Sequence, residues 1–133
     1  MFERFFSFDG RLARLPFFLR GIQVVIGAIV IFFLSLPLFM NGGRTLWWAG
    51  ILVVALAGAV LVIATVALTV RRLHDLNLSG YHAIWVVAAD AVSEVLSYGS
   101  TKAILFGLPL AAIGLWLFWP GNKQANRFGT VPD

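Results

Sequence analysis

The sequence contains no cysteine and only two histidines in 133 residues. These absences exclude a disulfide framework and any metal or redox site built on thiolates. Charged residues are also scarce, at 12%, whereas soluble globular domains carry about a quarter. With 60% hydrophobic residues and a mean hydropathy of +0.91, the composition predicts a membrane protein. The net charge is +4, but the basic residues flank apolar stretches and form no polar groove with interleaved aromatic residues. We therefore expect them to bind anionic phospholipid rather than nucleic acid.

Charge is missing altogether from three long stretches of the chain. The longest, Thr45 to Val70, has 26 residues and exceeds the roughly 20 apolar residues that an α-helix needs to cross a bilayer. Gly21 to Gly43 and Ala103 to Asn122 are uncharged as well. The stretch from Gly21 is longer than the apolar part of a cleavable signal peptide, and no small-residue cleavage pattern follows it. We therefore expect it to be retained as a membrane span.

These stretches predict an all-α membrane protein with four transmembrane helices in one integral membrane domain, residues 1–133. The expected spans are 21–40, 46–70, 81–100 and 103–119, preceded by an N-terminal amphipathic interfacial segment over 1–20 and followed by a polar tail over 120–133. In the interfacial segment, phenylalanines are mixed with arginines, which suits rings in the apolar boundary and guanidinium groups among headgroups. Asp9-Gly10 is expected to divide this segment into two short pieces.

The basic residues predict the orientation. In a four-span chain, the N-terminal segment, the loop after the second span and the tail share one side and carry eight of the ten Lys and Arg residues. Arg44 and Lys102 lie on the other side. The positive-inside rule therefore places both termini in the cytoplasm. If the third span lay on the membrane surface instead, the division would be seven to three and the tail would be outside.

The predicted third span is unusual because it contains two acids, Asp90 and Glu94. A central Asp costs about 2.5 to 3.5 kcal/mol on the insertion scale, while each Ile, Leu or Val returns about 0.3 to 0.6 kcal/mol. The apolar residues of this span offset roughly one carboxylate, so we expect it to insert as a hairpin with the fourth span. The acids share a helix face. They either bond to neighbouring helices or form an intramembrane proton or cation site.

A polar motif, Arg71-Arg72-Leu73-His74-Asp75, follows the second predicted span and precedes a turn at residues 77–81. Two arginines beside His74 and Asp75 suit a phosphate group. We expect an internal tie instead, in which Asp75 pairs with one of the basic residues Arg11, Arg14, Arg71, Arg72 or Arg127. His82 adds no closely spaced ligand pair to His74 and Asp75, so no metal site is predicted.

Three motifs stand in the same order and position as in a known family: Phe8-Asp9-Gly10-Arg11-Leu12-Ala13-Arg14, Arg71-Arg72-Leu73-His74-Asp75, and Asn126-Arg127-Phe128-Gly129 with Pro132-Asp133. Through them nearly the whole chain resembles the bacterial inner-membrane proteins of the domain of unknown function 805 type, the YhaH-like proteins. The resemblance implies a small four-helix protein of the bacterial cytoplasmic membrane and brings no established activity, cofactor or catalytic residue with it.

The predicted orientation brings all three motifs to the cytoplasmic face, where they can form one polar cluster. Gly10, Gly80 and Gly129 permit the backbone turns that such a cluster requires. The cluster is either a polar lid that holds helix ends and tail together or a site for lipid headgroups or a partner. Its candidate residues are Arg11, Arg14, Arg71, Arg72, His74, Asp75, Asn126 and Arg127.

Three functions compete on these observations. The first is a non-enzymatic membrane component whose polar face binds anionic phospholipid or another membrane protein. The second is an oligomeric small transporter or proton-linked channel that uses Asp90 and Glu94. The third is an enzyme acting on lipid phosphates through Arg71, Arg72 and the His74-Asp75 pair, but no pairing of nucleophile and base is visible in the sequence. The first hypothesis therefore leads, as a homo-oligomer or with a membrane-protein partner.

Overall fold

The computed structural model describes residues 3–40, 43–85, 88, 114–115 and 117–132. Three helices occupy the first part of the chain: α1 at Glu3–Phe6, α2 at Arg14–Met40 and α3 at Arg44–Asp75. Residues 82–85 are helical again after a turn. In these described ranges the chain has no β-strand beyond an isolated bridge between Asn126 and Gly129. The expected all-helical architecture is confirmed to this extent.

The N-terminal segment is divided as predicted, and Gly10 carries the break with a φ of +81°. The second piece does not end at residue 20, however, because α2 begins at Arg14 and continues to Met40 without interruption. Pro16 lies in the first turn of α2, where the amide hydrogen that proline lacks would have no partner within the helix. The end of the predicted interfacial segment therefore belongs to the same helix as the predicted first span.

Helix α3 is longer than the predicted second span because it includes the Arg71 to Asp75 motif, which lies in its last turns. The helix is ended by Asn77, whose φ of 61° lies in the left-handed region. The amide of Leu78 donates to the carbonyl of Leu73 at 2.9 Å, and the amide of Asn77 donates to that of His74 at 3.0 Å. This is a Schellman motif, and Leu78 also packs against the small apolar cluster that contains Leu73.

Helices α2 and α3 pack side by side. At one contact, a Cβ on Gly50 would lie 3.0 Å from the ring of Phe39, so a glycine permits the close approach of the two helices. At the other end of α3, Ala64, Ala67 and Leu68 are buried. A small core of Leu73, Ala83 and Leu117 lies beyond them, and Phe17 packs against it.

Both long helices leave most of their apolar surface uncovered. They have 27 and 32 residues, about 40 Å and about 48 Å at 1.5 Å per residue, which is long enough to cross a membrane. Only 6% and 17% of their most apolar windows are buried, whereas the core helix of a soluble protein is mostly buried. Leu34, for example, is 72% exposed. The predicted spans 81–100 and 103–119 fall largely outside the described residues, and the number of spans stays a prediction.

Candidate functional site

The carboxylate of Asp75, the last residue of α3, lies at the centre of a buried ion group. Its Oδ1 accepts hydrogen bonds from Arg11 Nη2 at 2.9 Å and from Arg11 Nε at 3.1 Å. Its Oδ2 accepts a hydrogen bond from Nη1 of Arg72. All three side chains are at most 4% exposed, and we call them the clasp. Two guanidinium groups share one carboxylate, so the clasp contains an excess of positive charge.

Helix geometry and a short backbone pairing bring the clasp residues together. Arg72 and Asp75 are three residues apart on α3 and so project from the same face. Arg11 comes from the loop between α1 and α2, directly after the turn at Gly10. The amide of the next residue, Leu12, donates to the carbonyl of Arg71 at 3.0 Å, which holds this loop against the end of α3.

Every N–H group of the Arg11 guanidinium has a partner. Besides the two bonds to Asp75, Nη1 donates to the carbonyls of Gln124 at 2.8 Å and Gly129 at 3.3 Å, and Nη2 donates to that of Asn122 at 2.5 Å. A guanidinium has five N–H donors, and all five are used here. Arg11 therefore has no donor left for a phosphate group or another ligand.

The Arg72 guanidinium is bonded in the same way, to carbonyls from both ends of the chain. Its Nε donates to the carbonyl of Leu117 at 2.5 Å, and Nη2 donates to that of Trp119. Nη1 also lies 3.4 Å from the carbonyl of Leu12. Carbonyl oxygens carry partial negative charge, so they compensate the positive charge that Asp75 leaves unbalanced.

The C-terminal segment, residues 117–129, passes directly over the clasp. A Cβ added to Gly121 would lie 1.8 Å from Oδ2 of Asp75, so only glycine fits at this position. The amide of Asn122 donates to the backbone carbonyl of Asp75 at 2.9 Å. Gly129 ends the segment with a φ of +134°, a conformation that other residues rarely adopt. The tail is thus held to the end of α3 by both backbone and side-chain bonds.

His74 forms a second contact between the tail and the helix end, beside the clasp. Its ring stacks on Phe128 with centroids 3.9 Å apart and an angle of 4° between the planes. Its Nδ1 lies 3.1 Å from the carbonyl of Gly10, and because a carbonyl only accepts, Nδ1 is the nitrogen that carries the proton. The side chain of Asn126 donates to the carbonyl of His74 at 2.9 Å. Arg127 covers Phe128, 4.7 Å from the ring centroid.

The structure thus separates the predicted site residues into groups. Arg11, Arg72 and Asp75 form the clasp, which confirms the expected pairing of Asp75 with a basic residue. His74 and Asn126 adjoin it, Arg71 is half-buried in the same turn of α3, and Arg14 and Arg127 are exposed at the edge. Asp90 and Glu94 lie outside the described residues.

Sequence reasoning missed Gly121 and the carbonyl acceptors of residues 117–129. Pro120-Gly121 was the available signal, because it marks a change of chain direction next to the tail motif. Gly80 also acts differently from expectation. It has no left-handed backbone but allows close approach, since a Cβ there would lie 2.8 Å from Val70.

The model of the family described as "Protein of unknown function (DUF805)" matches residues 5–130. The chain belongs to this family. The DUF805 match confirms the resemblance carried by the three motifs, and it includes every residue of the clasp and of its His74 neighbourhood. Neither the curated proteins nor the solved structures gave a match. Within the described part of this DUF805 protein, no group of three or more His, Cys, Asp or Glu residues is placed to hold a metal ion.

Proposed function

We propose that this protein is a non-enzymatic, multi-pass component of the bacterial inner membrane, with four spans and both termini in the cytoplasm. Its clasp holds the polar face together, and the exposed cations of that face interact with anionic phospholipid headgroups. The observation that carries the proposal is the complete use of the Arg11 donors within the protein. Such an arginine serves as a structural tie and leaves ligand contacts to other residues.

The bonding of Asp75 and of its neighbour His74 supports a structural role for this face rather than a nucleophilic one. Both oxygens of Asp75 accept hydrogen bonds from guanidinium groups. The ring of His74 is stacked on Phe128 and bonded to the Gly10 carbonyl. A catalytic pair needs a nucleophile within hydrogen-bond reach of a free base. Among the described residues of this face, no side-chain hydroxyl is hydrogen-bonded to His74 or Asp75.

Among the side chains of the polar face that the structure describes, three cations are exposed: Arg14, Lys123 and Arg127. Each Lys or Arg close to an anionic membrane surface contributes about 1 kcal/mol of attraction. The predicted orientation places these residues at the cytoplasmic leaflet, where anionic lipids are enriched. The clasp contributes by holding the tail, and therefore Lys123 and Arg127, against the end of α3.

Native mass spectrometry of the purified protein tests this proposal, with phosphatidylglycerol and phosphatidylcholine of identical chains added in turn. We expect tighter binding of phosphatidylglycerol. Arg14→Gln, Lys123→Gln and Arg127→Gln should each weaken it about fivefold, as expected for about 1 kcal/mol per cation. Arg44→Gln is the matched control, because Arg44 is exposed at the opposite end of α3. Equal binding of the two lipids by the parent protein would overturn the proposal.

A further inference from the structure

A groove of about 410 Å³ lies between α2, α3 and Phe118, near the polar face. It extends along α2 from Phe17 to Ile26, about 13 Å at 1.5 Å per residue. A methylene group is close in size to a water molecule, whose share of liquid volume is about 30 Å³. The groove therefore has room for a hydrocarbon chain on the order of ten methylene groups.

The walls of this groove offer no free polar group. Thr65 and Thr69 line it, but their hydroxyl groups donate to the carbonyls of Leu61 and Thr65 at 2.9 Å and 2.8 Å. The other lining residues are glycine, aliphatic or aromatic. Ile22 and Val25 are 40% and 57% exposed, so the groove is open along its side. An apolar occupant that enters from the surrounding hydrocarbon fits these walls.

A free cation lies at the polar end of the groove. Arg14 precedes Phe18, Gly21 and Val25 by four, seven and eleven residues, so all four share one face of α2. Its side chain is exposed and makes no hydrogen bond or ion pair within the described part of the chain. The neighbouring arginines of the clasp donate to Asp75 and to backbone carbonyls, whereas Arg14 is available to an anion at the end of an apolar groove.

We propose that this groove binds one acyl chain of an anionic phospholipid, whose phosphate is held by Arg14. The charge of Arg14 and the apolar walls match the two halves of such a molecule and exclude a polar ligand. The inference rests on the proposed function, because both bring anionic phospholipid to the same membrane face, but it adds a defined site for a single, tightly held lipid.

Two glycine substitutions test the groove. Gly21 lines it, and a Cβ there would meet nothing within 4 Å, so Gly21→Leu fits the fold and fills the space meant for the acyl chain. Gly58 is a matched control, since it is also helical, also faces open space and lies outside the groove. After detergent washing, we expect the parent and Gly58→Leu to retain one phosphatidylglycerol and Gly21→Leu to lose it.

The outcomes distinguish this site from the general lipid preference. If Gly21→Leu keeps its retained lipid while phosphatidylglycerol is still preferred over phosphatidylcholine, the groove proposal is wrong and the proposed function stands. If the parent shows no preference at all, the proposed function has failed first. Arg14→Gln should weaken retention of phosphatidylglycerol about fivefold and that of phosphatidylcholine less, because the choline cation offsets the phosphate charge of the second lipid. An equal effect on both lipids would overturn the role of Arg14.

A photo-crosslinking experiment identifies the occupant directly and does not depend on how Gly21→Leu folds. A benzophenone amino acid replaces Ile22, which lines the groove, or Leu34, which is exposed on α2 outside it. Illumination in native membranes should cross-link phospholipid at position 22. The share of anionic lipid among these cross-links should be higher at position 22 than at position 34. A cross-link at position 22 to a second copy of the chain, or no lipid enrichment there, would overturn the proposal.

Discussion

Arg11 and Asp75 are 64 positions apart in the sequence, yet their side chains form two hydrogen bonds of 2.9 and 3.1 Å in a buried position. The pair joins the segment before α2 to the last residue of α3. Arg72 bonds to the other carboxylate oxygen. Among the described residues, the three ions are compensated by one another and by backbone carbonyls, so the stability of the polar face depends on the whole clasp.

Asp75→Ala should destabilise the protein strongly, because it leaves two buried guanidinium groups without their carboxylate. Breaking a buried ion pair costs about 3 to 5 kcal/mol. The measurement is the melting temperature in detergent, compared with Asp9→Ala as a control, since Asp9 is exposed. A melting temperature as high as that of Asp9→Ala would show that the Asp75 carboxylate is dispensable.

Arg11→Gln and Arg14→Gln remove one positive charge each from positions three residues apart, but we expect opposite outcomes for stability. Arg11→Gln leaves Asp75 short of a partner and several carbonyls unbonded, at a cost of about 3 kcal/mol or more. Arg14→Gln should change the free energy of unfolding by less than about 0.5 kcal/mol, because its side chain is exposed. Chemical unfolding in detergent distinguishes the two, and equal losses would contradict the assignment of Arg11 to the clasp.

Gly121→Ala should also be destabilising, although it adds a single methyl group. That group would lie 1.8 Å from the carboxylate of Asp75, so the C-terminal segment must move away from the clasp. Overpacking of this kind costs about 1 to 3 kcal/mol. Gly114→Ala is the control, since a methyl group there meets nothing within 4 Å and alanine favours a helix. If the two variants had the same melting temperature, the close approach at Gly121 would be contradicted.

The four-span orientation predicts the behaviour of topology reporters. A reporter that is active only outside the cytoplasm should be silent after Asp133 and active when inserted between Asn41 and Arg44. The reason is the eight-to-two distribution of basic residues between the two sides. Activity at Asp133 would exclude the four-span chain and favour a third segment that lies on the membrane surface.

Asp90→Asn with Glu94→Gln tests the transporter alternative, which concerns residues outside the described ranges. The amides keep most hydrogen bonding but cannot ionise. If the acids are structural, as the proposed function implies, the double variant should fold and behave like the parent in proton and cation flux assays in liposomes. Loss of a pH-dependent flux in a folded double variant would favour the transporter.

The sequence predicted the long helices well, because α2 and α3 contain long uncharged, apolar runs. Such runs are typical of membrane-spanning helices. It also predicted that Asp75 would be paired, but not with which arginine. Arg71 and Arg72 precede Asp75 by four and three residues, and both spacings allow an ion pair on one helix face, so the sequence alone does not choose between them.

The remaining bonds of the clasp could not be predicted from residue types. Arg11 and Arg72 donate mainly to backbone carbonyls between Leu117 and Gly129. Every residue carries a carbonyl, so the sequence holds no sign of which ones are used. The end of α3 was misplaced for a related reason. The Arg-rich motif resembles a loop in composition, but the signal that ends the helix is Asn77, two residues after the motif.

The wide separation of Arg11 from its acceptors has a consequence for biosynthesis. The carbonyl of Gly129 lies 118 positions after Arg11. At about 5 to 20 residues per second, a ribosome needs about 6 to 24 seconds to travel that distance. During this interval α2 and α3 have already been made, while the Arg11 guanidinium still lacks its C-terminal partners. Closure of the polar face therefore follows the synthesis of both long helices, and a nascent chain that ends before residue 122 lacks the C-terminal acceptors of Arg11.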